Sequence, residues 1–190
     1  MKTLKFNYLV ALLLTLSSFS LFAQSQKFNS EKSTIQWVGT KIGGQHEGLI
    51  KLKSGEIVEN NGKIESGSFE VDMTSITCTD LEDAAYNEKL VGHLKSDDFF
   101  GVATHPTATV KITEGATLSD GKATVKGDLV VKGKSAPVTF ELVKNENGYT
   151  TQLKIDRTKY DVRYGSASFF DNLGDKAIAD IFVLNITLVK

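Results

Sequence analysis

The chain has 190 residues, with 22 basic and 23 acidic side chains and 41% hydrophobic residues. Its charges are interspersed rather than clustered, which argues against nucleic acid as a partner because phosphate binding needs a basic face. A single cysteine excludes an intramolecular disulfide, so the fold depends on its hydrophobic core alone.

The first 23 residues have the pattern of a secretory signal peptide. Lys2 and Lys5 precede an apolar run over residues 9–23 that is short for a bilayer span, and the run ends at Ala23 before Gln24. We expect cleavage at this point, export through a membrane, and a single domain formed by residues 24–190. An uncleaved N-terminal anchor is the alternative.

Alternation of apolar and polar residues predicts eight β-strands after the signal segment, because successive apolar side chains then lie on one face. Most of these strands are separated by short segments rich in residues that favour turns. The alternating apolar positions are Ile35-Trp37, Ile50-Leu52, Phe69-Val71-Met73, Ala108-Val110-Ile112, Val125-Gly127-Leu129-Val131, Val138-Phe140-Leu142, Tyr149-Thr151-Leu153-Ile155 and Phe182-Leu184-Ile186-Leu188.

Turn signals between several of these strands are residue pairs that tolerate positive φ: Gly43-Gly44, Asn61-Gly62, Asp120-Gly121 and Asn147-Gly148. Short turns join antiparallel neighbours. Eight such strands avoid exposed edges by closing into a barrel, whose bore at this size holds one small ligand. The sequence therefore predicts an all-β fold, an eight-stranded antiparallel barrel.

One segment departs from the strand pattern, from about Asp80 to Lys95. Thr79 and Glu82 form a capping-box pair, and Tyr86, Leu90 and Leu94 repeat at helical spacing. We predict one helix here, lying across one end of the barrel. Glycines within strands, at positions 48, 67 and 127, predict bulges or places where backbone approaches closely.

Residue types that support catalysis or metal binding are sparse. His46, His93 and His105 have no paired metal-ligand spacing, so we expect no metal and no cofactor, with the histidines acting as structural hydrogen-bonding groups or polar ligand contacts. Cys78 has no adjacent cation that would activate a thiolate, and we interpret it as a small, partly buried side chain rather than a reactive group.

Arg157 directly follows an apolar strand, where an arginine can bind a carboxylate, phosphate or carbonyl with fixed geometry. Two interpretations are open. A structural salt bridge with Asp98 or Asp180 is one, and contact with a ligand head group is the other.

Several separated motifs resemble, in their joint order, the YceI-like family. The matching segments cover nearly the whole predicted mature chain: residues 35–39, 44–50, 67–73, 93–100, 106–109, 125–133 and 156–160. The resemblance implies an extended lipocalin-like barrel, exported to the periplasm, that binds isoprenoid or other long-chain lipids in an apolar tunnel. Gly101 and His105 depart from the family pattern, which affects the expected head-group contacts more than the fold.

We expect this protein to bind and carry a long-chain amphiphile, such as a polyisoprenoid, an isoprenoid quinone or a fatty-acid derivative, without turnover. Transient membrane contact and a monomer or homodimer are compatible with that role. The alternatives are a small barrel enzyme acting on a lipid through His46, His93 and Arg157, and a structural barrel with a filled interior. The expected apolar lining is Trp37, Phe69, Val71, Leu129, Phe140, Leu153, Phe182 and Leu184, and the expected polar head-group contacts are His46, His93 and Arg157.

Overall fold

The computed structural model describes residues 24–190, and the predicted signal segment, residues 1–23, lies outside the described residues. Nine strands, one α-helix and three short 3-10 helices are present in the described part. The elements are β1 (Gln24–Lys27), β2 (Thr34–Lys41), β3 (Gly44–Asn60), β4 (Lys63–Asp72), α1 (Ala84–Lys95), β5 (Thr107–Glu114), β6 (Lys122–Val131), β7 (Lys134–Asn145), β8 (Gly148–Asp156) and β9 (Ile181–Val189), with 3-10 helices at Met73–Ser75, Arg157–Tyr160 and Gly174–Lys176.

Strands β2 to β9 form a closed barrel in which each strand pairs antiparallel with the next and β9 pairs with β2. The eight predicted strands are therefore confirmed, together with the all-β barrel and its single helix. The short strand β1 was not predicted. It adds to the outer end of β3 through pairs from Gln24 with Glu59 to Lys27 with Glu56.

Backbone approaches closely at two of the mid-strand glycines that the sequence singled out, Gly48 and Gly127. A Cβ on Gly48 would lie 1.9 Å from the carbonyl oxygen of Thr77, and one on Gly127 would lie 2.5 Å from that of Lys111. Only glycine allows backbone to approach this closely. A register shift next to the pair formed by Gly127 and Ile112 marks a bulge there.

The wall of the barrel is weakest between β7 and β8. These strands pair only at their shared turn, from Val143 with Thr150 to Asn145 with Gly148. Beyond this point the 3-10 helix Arg157–Tyr160 lies against β7, with the ring of Tyr160 buried. The connection from β8 to β9 thus completes one side of the barrel.

Helix α1 begins later than predicted, at Ala84 rather than near Asp80. Its N-cap is Asp83, whose carboxylate accepts hydrogen bonds of 3.0 Å from the amides of Ala85 and Tyr86. The predicted capping box at Thr79 and Glu82 is wrong. The amide of Thr79 instead donates to the carbonyl of Glu47 at 2.9 Å, which holds residues 77–79 extended against β3.

Of the three residues that the sequence predicted to form the apolar face of the helix, only two pack against the barrel. Leu94 is buried in the core and Leu90 packs against it, whereas 67% of Tyr86 is exposed. No helix among residues 24–190 is long and apolar enough to cross a membrane.

Candidate functional site

An apolar cavity of about 330 Å³ occupies the inside of the barrel. Its walls are the inward-facing residues of the strands, for example Phe182, Leu184 and Ile186, which alternate with outward-facing residues along β9. A volume at the lower end of the usual range for small-molecule sites gives room for one apolar chain. The barrel interior is therefore not completely filled by its own side chains.

The cavity is closed at the end where β3 meets β4. Ile57, Ile64 and Val125 are completely buried there, and Phe28 stacks against Tyr149 edge to face with ring centroids 6.1 Å apart. The Tyr149 hydroxyl donates to Glu59, which also accepts hydrogen bonds of 2.7 Å from Lys144. This packed layer leaves no exit at that end among the described residues.

The other end of the barrel is where the cavity reaches solvent. Its lining there includes Thr40 and Lys41, which are exposed at the end of β2. Leu90 of α1, Phe100 and Ile178 complete the rim. We call this end the mouth, and helix α1 with the segment after β8 partly covers it.

All eight residues predicted as apolar lining lie on the wall of this cavity. Leu129, Phe140 and Leu153 are buried from solvent, and the other five are partly exposed because their side chains face the open volume. Their contact with a ligand stays a prediction. The eight are Trp37, Phe69, Val71, Leu129, Phe140, Leu153, Phe182 and Leu184.

His46 lies at the mouth and is oriented by Asp80. Its Nδ1 donates to a carboxylate oxygen of Asp80 at 2.8 Å, while the other oxygen accepts from the Glu47 amide at 2.9 Å and from the Cys78 thiol at 3.2 Å. Burial raises the pKa of Asp80, but these hydrogen bonds outweigh burial and lower its pKa from 3.8 to about 2. Asp80 is thus a fixed anion that holds the imidazole ring at the cavity wall.

His93, on α1, belongs to an aromatic cluster that also lines the cavity. Its ring packs edge-on against Tyr164 with centroids 4.3 Å apart and against Phe99 at 5.6 Å. Its Nε2 lies 4.0 Å from a carboxylate oxygen of Asp98. His93 therefore links the end of α1 to the segment after β8.

Arg157 lies beside the cavity, but its guanidinium is engaged with backbone. The side chain is 2% exposed, and its nitrogens donate to the carbonyls of Val162, Tyr164, Ile178 and Ala179 at 2.8–3.0 Å. One nitrogen also lies 3.5 Å from the Asp180 carboxylate. Of the two interpretations, this geometry matches the structural one with Asp180, and few donors are left for a head group.

The residues around Cys78 do not favour a nucleophile or a metal centre. Burial, together with its hydrogen bond to the Asp80 carboxylate, raises the pKa of the Cys78 thiol. Within residues 24–190 no three His, Cys, Asp or Glu side chains converge closely enough to hold a metal ion.

Sequence reasoning missed several residues of the mouth. Phe99 and Phe100 follow α1 and line the cavity, and the adjacent aromatic pair after the helix was the available signal. Ile178 has no local signal, because it reaches the cavity only through pairing with Lys41 of β2. Asp80 was likewise predicted as part of a helix rather than as the partner of His46.

Comparison with known proteins supports this architecture. A crystal structure of BcnA from Burkholderia cenocepacia superimposes with a TM-score of 0.68 at 25% identity, covering 86% of this chain and 99% of that one. Two proteins of Pseudomonas putida, strains F1 and KT2440, both called UPF0312 protein, are 28% identical over 136 residues, covering 70% of this chain and 68% of their own length. The family model for the YceI-like domain matches residues 26–189. Because that match spans almost all of the described residues, the chain belongs to the YceI-like family.

Proposed function

We propose that this protein binds one long-chain amphiphile, such as a polyisoprenoid, an isoprenoid quinone or a fatty-acid derivative, and carries or sequesters it in the periplasm. The observation that carries the proposal is an apolar cavity that is closed at one end of the barrel and open at the other. This shape fits a flexible chain that enters tail first. The family assignment agrees, since the YceI-like resemblance implies lipid ligands.

Apolar burial dominates the expected affinity. Burying about 300 Å² of chain surface at about 25 cal/mol per Å² stabilises the complex by about 7 kcal/mol before the entropic cost of binding. A single hydrogen bond to the head group contributes about 1 kcal/mol. His46 and His93 are the polar groups at the mouth best placed to contact a head group, and Arg157 contributes less because backbone carbonyls occupy it.

The test blocks the cavity without altering the outer surface. Leu184→Trp places a large ring in the bore, whereas Thr187→Trp, on the same strand, places it on the outer face. Native mass spectrometry of purified protein, followed by lipid extraction, should find bound lipid in wild type and in Thr187→Trp. Leu184→Trp should be empty. If folded wild type neither retains nor takes up isoprenoids or fatty acids, the proposal is wrong.

Enzymatic action on a lipid is the second candidate, and the pair His46 and Asp80 favours it. A carboxylate-oriented imidazole is the usual arrangement of a general base. The described residues place no activated nucleophile or second acid beside it, so we propose binding without turnover. Incubation with prenyl phosphates and fatty-acyl esters should return both unchanged by mass spectrometry. Product formation that His46→Gln abolishes would instead establish the enzyme.

Export is also part of the proposal, and it depends on the basic residues and apolar run before Gln24. N-terminal mass analysis of the periplasmic fraction should find a chain beginning at or near Gln24. An intact Met1 on membrane-bound protein would contradict it.

A further inference from the structure

Exposed apolar side chains are concentrated at the mouth of the barrel. Seven large hydrophobic residues are exposed among those described, and five of them lie at the tip of the β2–β3 hairpin or between Tyr164 and Ile181. Scattered exposed apolar residues are normal on protein surfaces, but a cluster marks an interaction site. The five are Ile42 (56% exposed), Phe170 (50%), Tyr164, Ile181 and Phe169.

Backbone hydrogen bonds join the parts of the chain that carry these residues. The amide of Ile42 donates to the carbonyl of Ala177 at 3.2 Å, and that of Ile178 donates to Gly165 at 2.7 Å. Ile178 itself lines the cavity. The exposed side chains therefore lie beside the opening through which a ligand would pass.

The segment that carries Phe169 and Phe170 is held in place. Their amides donate to the carbonyl of Ser166 at 3.1 and 3.0 Å, and Ser166 is completely buried. The hydroxyl of Ser168 donates to Asp180 at 2.6 Å. Both rings are therefore presented at the surface by a fixed turn, so that little conformational entropy is lost when they contact a partner.

Charge on this segment is balanced. Between residues 163 and 176, Arg163 and Lys176 are matched by Asp171 and Asp175. The Arg163 guanidinium lies 5.0 Å from the centroid of the Phe169 ring. Around Phe170, Asp97, Asp98 and Asp161 share a groove with Lys132, Arg163 and Lys176, and Lys41 beside Ile42 adds one positive charge. With so small an excess of positive charge, attraction to anionic head groups is weak, and the apolar side chains have to supply most of the binding free energy.

We propose that the exposed apolar patch beside the mouth, formed by Ile42, Tyr164, Phe169, Phe170 and Ile181, docks on the surface of a lipid bilayer and inserts its side chains among the acyl chains. A ligand can then pass between the bilayer and the cavity without crossing water. The choice of a bilayer over a protein partner rests on the proposed function, because this patch adjoins the mouth of a cavity whose proposed occupant is a membrane lipid.

The experiment measures co-sedimentation with vesicles of phosphatidylethanolamine and phosphatidylglycerol, and with vesicles of phosphatidylcholine alone. The double variant Phe169→Ser, Phe170→Ser should bind both at least about fivefold more weakly than wild type. Leu49→Ser is the matched control, because Leu49 is 46% exposed but lies on the outer wall of β3. High salt should change wild-type binding less than about twofold.

Equal binding by the double variant and wild type, absence of wild-type binding, or loss of binding in high salt would each overturn the proposal. Two further measurements distinguish failure of membrane docking from failure of the proposed lipid binding. Native mass spectrometry should find that the double variant retains its lipid, and a transfer assay should find that it delivers this lipid to acceptor vesicles more slowly than wild type does. If the double variant does not fold, Phe170→Trp replaces it. Brominated acyl chains should then quench its fluorescence more than that of Leu49→Trp, and equal quenching would contradict docking.

Discussion

The indole nitrogen of Trp37 donates a hydrogen bond of 2.9 Å to the backbone carbonyl of Thr77. This contact ties the segment before α1 to the barrel wall, and it is possible because Gly48, which pairs with Trp37 on β3, has no side chain in the way. Trp37 also lines the cavity. One residue thus contributes both to the wall of the site and to the attachment of its cover.

Trp37→Phe keeps most of the ring but removes the hydrogen bond, so it should lower the free energy of unfolding by about 1 kcal/mol. Trp37→Ala should cost about 2–3 kcal/mol, less than removal of a fully buried tryptophan, because the side chain already borders open volume. Urea unfolding followed by circular dichroism measures both. Equal stability of Trp37→Phe and wild type would show that the Thr77 contact is energetically neutral.

The strands could be predicted from sequence because alternation is a local property, and each of the eight patterns corresponds to an inward-facing row of the barrel. The start of α1 could not, because Thr79 is held extended by the carbonyl of Glu47, which is distant in sequence. The role of Arg157 was open for the same reason. Two of its four carbonyl partners, Ile178 and Ala179, lie more than 20 residues further along the chain.

Asp80 should make stability depend on pH in the acid range. Its pKa in the folded protein, about 2, lies below its ordinary value of 3.8. A depressed pKa stabilises the folded state above pH 4, and this stabilisation is lost as the pH falls towards 2. Asp80→Asn still accepts a hydrogen bond from Glu47 but does not titrate. The decrease in unfolding free energy between pH 4 and pH 2 should therefore be smaller in Asp80→Asn than in wild type by about 1 kcal/mol, and identical pH profiles would contradict this.

The Cys78 thiol should react slowly with alkylating reagents in the folded protein. Burial and the adjacent Asp80 carboxylate raise its pKa, so the thiolate fraction at pH 8 is smaller than that of a free cysteine. Iodoacetamide labelling, followed by intact mass, should be at least about tenfold slower for native protein than for protein in denaturant. Asp80→Asn should accelerate the native reaction. Labelling of native wild type at the rate of the unfolded chain would show that Cys78 is accessible and that its pKa is not raised.

Arg157 should matter more for stability than for ligand affinity. Its guanidinium satisfies four carbonyls of the segment between β8 and β9, and a lysine ammonium can donate to at most three acceptors from a single point. Arg157→Lys should therefore lower the free energy of unfolding by about 2–4 kcal/mol. Arg163→Lys, a change at an exposed arginine of the same segment, should cost less than about 0.5 kcal/mol.

Thermal melts give the stabilities, and native mass spectrometry at a temperature where each variant is folded gives the retained lipid. Retention should be similar in Arg157→Lys and wild type, because the apolar wall is unchanged. If Arg157→Lys is as stable as wild type but loses its lipid, the guanidinium recognises the head group and the order of contributions is reversed.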